Sequence, residues 1–159
     1  MGFYQFRRTQ KIPANIDLVW DFISAPSNLK KITPPTMGFE ITSANAEVEM
    51  YEGMIISYRV RPLLKIETLW VTEITHVVPK SYFVDEQRIG PYKMWHHEHR
   101  LEEINGGVLM TDIISYQPPL GFLGKIANAL IIQNKLKKIF DFRTQALEEI
   151  FGKWKDQGI

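Results

Sequence analysis

Hydrophobic and polar positions change their period along this chain, and the changes mark its elements. Residues 3–12 are rich in Phe, Tyr and Thr and read as a strand, which Pro13 ends. Ile16, Val19, Trp20 and Ile23 then recur at helical spacing, with Asn15 placed to cap the helix N-terminus. Ser24-Ala25-Pro26 breaks that helix and opens a second short one through Leu29 and Ile32, and Thr33-Pro34-Pro35 stops it. From about residue 37 to 117 the pattern becomes that of strands. Gly53, Pro62, Pro79, Gly90-Pro91 and Asn105-Gly106 divide it into six segments, at about 38–47, 53–61, 65–78, 81–89, 92–103 and 108–117. Pro118-Pro119 ends the series. A stretch rich in Leu, Ile, Lys and Glu follows over 121–151, long enough for a helix of roughly 45 Å. Short turns between successive strands predict an antiparallel meander. The expected class is α+β: a curved seven-stranded antiparallel sheet, two short helices after the first strand, and a long C-terminal helix lying across one face.

Strand alternation then sorts the side chains. Three of the four histidines fall in Trp95-His96-His97-Glu98-His99-Arg100-Leu101. On a strand, Trp95, His97, His99 and Leu101 share one face, and the apolar ends of this set mark it as the inner one. Asn105-Gly106 is a strong hairpin signal. A two-residue turn there pairs Ile104 with Gly107, Leu101 with Met110, His99 with Asp112, His97 with Ile114 and Trp95 with Tyr116. The same count at Pro79-Lys80 pairs His76 with Phe83, Ile74 with Asp85 and Thr72 with Gln87. The inner face is therefore apolar but carries Asp85, Gln87, His97, His99 and Asp112. Buried Asp and His need partners. A His99–Asp112 cross-strand pair would stiffen the sheet, or orient a polar group of a ligand, or act as an acid–base couple.

Composition narrows the function classes. Over 159 residues, 45% are hydrophobic and 23% charged, which excludes general disorder and supports one domain spanning 1–159. A net charge of +1 gives no field favouring nucleic acid. The absence of cysteine excludes thiol catalysis and cysteine metal clusters. Residues 1–8 lack the apolar stretch of a signal peptide, and no run approaches the ~18 apolar residues of a membrane span. The expectation is a cytoplasmic protein without stable membrane anchoring; the sequence leaves a homodimer open. His97-x-His99-x-x-x-Glu103 resembles the first metal motif of cupins, but no histidine follows His99 to supply the later ligand. No metal and no cofactor are expected.

Several motifs in order carry a family resemblance: Val19-Trp20-Asp21-Phe22-Ile23, Ile32-Thr33-Pro34, Phe83-Val84-Asp85-Glu86-Gln87, Gly90-Pro91-Tyr92, Trp95-x-His97-x-His99, Tyr116-x-x-Pro119-x-Gly121 and Phe140-x-Phe142-Arg143. Together they resemble the SRPBCC or START-like helix-grip superfamily, and within it small bacterial ligand-binding proteins labelled polyketide cyclase/dehydrase-like. The resemblance covers essentially the whole chain; Leu101 stands where relatives often carry Phe. It implies a cavity between the sheet and the C-terminal helix, and a hydrophobic small molecule or lipid as the partner. It implies no reaction, because fold alone does not decide function.

On this reading Tyr58, Trp70, Phe83, Trp95, Met110 and Tyr116 build the cavity wall. Ile126, Leu130 and Phe140 of the last helix close it, and Asp85, His97, His99 and Asp112 read a polar group. The expected function is a non-catalytic carrier or sensor. The alternative is a cyclase or dehydratase on an aromatic or polyketide-like substrate, with His99 as acid or base and Asp112 orienting it.

Overall fold

Residues 2–45, 48–61, 66–119 and 131–155 are described by a computed structural model. The chain enters through strand β1 (Tyr4–Ile12) and helix α1 (Ile16–Ile23). The Asn15 side chain accepts a hydrogen bond from the Leu18 amide at 2.9 Å, the expected cap. Val19, Trp20 and Ile23 form the buried stripe of α1. The second short helix is a 3-10 helix, Pro26–Ile32, with Pro26 opening its first turn. A further 3-10 turn at Pro35–Met37 occupies the place where the prolines were expected only to stop the chain. Proline is tolerated at a helix start because its missing N–H would have no partner there. Gly38, at φ 55°, ends that turn.

Six strands follow: β2 (Glu40–Ile41), β3 (Ile55–Val60), β4 (Thr68–Val78), β5 (Tyr82–Ile89), β6 (Met94–Ile104) and β7 (Gly107–Gln117). The sheet order is β1-β7-β6-β5-β4-β3-β2, antiparallel at every pairing. Strand β2 is much shorter than the expected 38–47, because the chain turns at residues 43–45 after leaving Ile41. Helix α2 (Gln133–Phe151) is the described part of the expected C-terminal helix.

The β6–β7 register is the expected one throughout: Ile104 with Gly107, Leu101 with Met110, His99 with Asp112, His97 with Ile114, Trp95 with Tyr116. Gly106 supplies the positive φ of 89° in the turn. The β4–β5 hairpin corrects one pairing. Val77, not His76, stands opposite Phe83, because the turn uses three residues, with Val78 paired to Tyr82 and Lys80 at φ 61°. A bulge between Ile74 and His76 then removes the offset, so Ile74 faces Asp85 and Thr72 faces Gln87 as expected. Bulges at this point and between Val71 and Thr72 add twist to β4.

Helix α2 buries Leu136, Phe140, Arg143, Ala146 and Leu147 against the sheet. It runs along β1, where Phe6 meets Phe140 with ring centroids 5.1 Å apart, Arg8 pairs with Asp141, and Gln10 donates to the Thr144 carbonyl at 3.0 Å. Its C-terminal half joins α1 in one core cluster with Trp20, Ile23, Phe83, Leu101 and Leu147. Its N-terminal half joins a second cluster with Val60, Trp70, Tyr92, Ile114 and Tyr116. The candidate site lies where these two clusters meet.

Candidate functional site

Between the inner face of the sheet and α2 lies a cavity of about 140 Å³, measured as space open to the centre of a water molecule. One water needs only ~10–15 Å³ on that measure. The walls combine two chemistries. Aromatic rings cover the β3–β6 side. Trp70 meets Trp95 edge-on at 5.2 Å, Tyr58 stacks on Trp70 at 6.0 Å, and Tyr92 reaches Trp95 at 4.9 Å. Half-buried Met37, Phe39, Lys135 and Ile139 also line it.

A polar cluster lies beside these rings on the same sheet face. Strand register brings Asp85 on β5 beside His97 on β6, and His99 lies two residues along on the same face. His97 Nε2 lies 2.9 Å from Asp112 Oδ1 in hydrogen-bond geometry, and His99 Nε2 lies 3.2 Å from Asp85 Oδ2. The other ring atoms cross over: His97 Nδ1 is 3.4 Å from Asp85 Oδ2, and His99 Nδ1 is 3.1 Å from Asp112 Oδ1. Each imidazole thus sits between two carboxylates. The ring centroids are 3.7 Å apart, and Phe83 stacks on His99 at 4.2 Å with 15° between planes.

Arg143 completes the cluster. It reaches down from α2 and donates from Nη1 to Asp112 Oδ1 at 3.0 Å. Burial pushes the Asp112 carboxyl up, but Arg143 and the two histidines hold it well below the usual carboxylate range. Burial likewise opposes ionisation of Asp85, and His97 and His99 outweigh it. The carboxylates contribute −2 and Arg143 +1, leaving −1 to be neutralised. His97 answers that charge. Burial disfavours its imidazolium, yet Asp85 and Asp112 raise its pKa above the ordinary histidine value. A neutral imidazole has one N–H, so a ring facing carboxylates from both nitrogens favours the doubly protonated form.

Not all of the expected site residues reach the cavity. Tyr58, Trp70, Phe83, Asp85, Trp95, His97, His99 and Phe140 line it. Met110 does not: it lies in the α1-side core with Leu101, Val108 and Leu147. Tyr116 packs against Tyr4, Tyr92 and Trp95 behind the wall. Asp112 stands behind the two histidines and acts through them. The alternation placed all three on the correct face, but a shared face extends past the cavity at both ends. Ile126 and Leu130 lie outside the described residues. The expected His99–Asp112 pair is a 3.1 Å approach without hydrogen-bond alignment, leaving the buried His99 Nδ1 without a hydrogen-bond partner among the described residues.

Arg143 and Tyr92 line the cavity without having been expected there. The signal for Arg143 was present: positions 136, 140, 143 and 147 follow the apolar spacing of the helix, and an arginine in that seam requires a buried anion. Burial keeps the Tyr58 and Tyr92 phenols protonated well above their usual pKa. Two further buried donors on cavity-lining residues, Trp70 Nε1 and Arg143 Nε, have no hydrogen-bond partner among the described residues.

No protein-family profile matches the chain, and no curated protein matches it significantly in sequence. Solved structures do match, over nearly its whole length. Protein CV1439 from Chromobacterium violaceum superposes with a TM-score of 0.71 at 12% identity, covering 94% of this chain and 99% of its own. Ginseng major latex-like protein 151 from Panax ginseng gives 0.67 at 11% identity, covering 94% and 97%. Ara h 8.0201 gives 0.62 at 13% identity, covering 93% and 99%. A curved seven-stranded antiparallel sheet packed on a C-terminal helix is the helix-grip fold, and this chain shares it with these structures.

Proposed function

We propose that this protein binds a hydrophobic small molecule or lipid in the cavity between the sheet and α2, as a carrier or sensor. One observation carries the reading: an aromatic-walled cavity whose lining holds buried donors on Trp70 and Arg143 that have no hydrogen-bond partner among the described residues. An unpaired buried polar atom costs about 1–3 kcal/mol, and a ligand oxygen placed against it would recover that cost. Apolar burial would supply the rest of the affinity. About 200 Å² of ligand surface at ~25 cal/mol per Å² yields about 5 kcal/mol before entropy losses. The ligand this favours has an apolar body and one polar, oxygen-bearing end directed at the His97–His99–Arg143 side.

The sequence resemblance to small bacterial cyclase/dehydrase-like proteins agrees with this reading, as does the absence, among the described residues, of any helix long and apolar enough to cross a membrane. A cytoplasmic site of action belongs to the same proposal. The cyclase or dehydratase alternative is less favoured. It needs Asp112 to orient His99, whereas Asp112 is engaged by Arg143 and His97 and the hydrogen bond of His99 goes to Asp85. Titration with anilinonaphthalene sulfonate, followed by displacement with a panel of fatty acids and polycyclic aromatics, tests the proposal. Saturable one-to-one binding that weakens in Trp95→Ala supports it; no saturable binding of probe or competitor refutes it.

A further inference from the structure

The polar wall has a geometry that ligand binding alone does not require. The three atoms facing one another across β5 and β6 are Asp85 Oδ2, His97 Nδ1 and His99 Nε2. The carboxylate oxygen lies 3.4 Å from the first nitrogen and 3.2 Å from the second. One ligand atom from each of Asp85, His97 and His99 falls within 4.8 Å of the others. A tetrahedral zinc site with bonds of ~2.0–2.1 Å has ligand–ligand edges of about 3.4 Å. Two edges of such a site are therefore already at that length.

The far sides of the rings fit the same scheme. His97 Nε2 is within hydrogen-bond geometry of Asp112 Oδ1 at 2.9 Å, and His99 Nδ1 approaches the same oxygen at 3.1 Å without that alignment. Metal-ligating histidines commonly turn their remaining nitrogen to a carboxylate, which fixes the tautomer and ring orientation. Arg143 holds that carboxylate from above at 3.0 Å. Coordination at His99 Nε2 would also place its proton on Nδ1, the buried atom that has no hydrogen-bond partner among the described residues. Asp85, His97 and His99 all border the cavity, which leaves a fourth coordination position directed into it.

We propose that Asp85, His97 and His99 form a binding site for one divalent transition-metal cation of the zinc type, with Asp112 and Arg143 positioning His97 behind it. The donor set of two imidazoles and one carboxylate, without thiolate, selects zinc and its first-row neighbours over calcium or magnesium. The cupin-like spacing within β6 offers only Glu103 as a third donor. Glu103 is exposed at the end of β6, and the carboxylate that converges on the histidines comes from the neighbouring strand.

The test is titration of chelator-treated protein with cobalt chloride and then zinc chloride, read by visible absorption and calorimetry. The expected result is one cobalt per chain with the strong visible absorption of a four-coordinate site, displaced by one zinc. Asp85→Asn and His99→Gln should each lower zinc affinity about 100-fold or more, and Asp112→Asn about 10–100-fold with stoichiometry kept. His96→Gln and Glu103→Gln should change nothing; His96 pairs with Glu86 on the outer face and is the obvious competing surface site. Circular dichroism checks that each variant is folded. Should a ligand variant not fold, perturbation of the His97 and His99 ring resonances by zinc in the wild-type protein decides the matter. No saturable binding in the wild type, or undiminished affinity in Asp85→Asn and His99→Gln, overturns the proposal. The readout is the metal itself, so its failure leaves hydrophobic ligand binding, measured in chelator, standing.

Discussion

Replacing Arg143 by methionine removes the cation that α2 lowers onto the sheet, and its cost can be worked from the structure. Arg143 is 9% exposed and Asp112 4% exposed, so neither exchanges its partner freely for water. Without Arg143, the two carboxylates face only the histidines, and even a fully charged His97 leaves the cluster at −1. Breaking a buried ion pair from one side costs about 3–5 kcal/mol. His97 remains bonded to Asp112 at 2.9 Å and offsets part of this, which places the expected loss near 3 kcal/mol. For a protein of this length, each kcal/mol lowers Tm by roughly 2–4 °C, so Arg143→Met should melt about 6–12 °C lower. The second half of the prediction is a rescue. Adding Asp112→Asn removes the stranded charge while keeping an acceptor for His97. The double variant should therefore be more stable than the sum of the single losses by about 1–3 kcal/mol. Denaturant melts of the four proteins in chelator measure both quantities. A drop below about 2 °C in Arg143→Met, or strict additivity in the double variant, would refute the reasoning that Arg143 is held as the counter-charge of Asp112.

Trp95→Ala should raise the dissociation constant of a bound apolar ligand about tenfold by opening the aromatic wall, with the fold retained; a fluorescence titration reads this, and unchanged affinity would remove Trp95 from the site. In metal-free protein, Tm against pH should fall off on both sides of a plateau. The depressed Asp85 and Asp112 contribute stability above the ordinary carboxylate range of about 3.9, lost as pH falls through their lowered values. The raised His97 contributes stability below about 6.5, lost as pH rises through its folded-state value. Asp112→Asn should flatten the acid limb, and an unaltered limb would contradict the assignment. Gly107→Ala should destabilise by about 1–3 kcal/mol, since a Cβ there would sit 2.1 Å from the Ile12 carbonyl oxygen and force β1 away from β7; an unchanged melt would contradict the close approach.

Most of what positions the site was legible in the residues. Asn105-Gly106 fixed a two-residue turn, and alternation from it carried His97, His99 and Asp112 to their observed partners without a slip. The Pro79-Lys80 turn was less informative. A proline beside a lysine does not reveal that Lys80 adopts positive φ and that Ser81 joins the turn. The bulge that restores the register near Ile74 leaves no mark in the residue types either, so Asp85 was placed correctly through two offsets that cancel. The ends of the cavity were not legible. Met110 and Tyr116 obey the inner-face alternation, but where an inner face becomes solid core depends on the volumes packed from α1, α2 and β1. Arg143 was hidden for another reason: reading a helix by its apolar positions passes over a charged residue in the same seam. The third metal donor was hidden because a motif within β6 cannot show a carboxylate that the neighbouring strand brings alongside.

Native mass spectrometry of freshly purified protein, followed by organic extraction and incubation with the fatty-acid and polycyclic panel, tests the ligand-binding account most directly. One apolar molecule per chain is expected, recovered in the extract or acquired from the panel, with its loss or weakening in Trp95→Ala. A bare chain mass that no member of the panel shifts would contradict it.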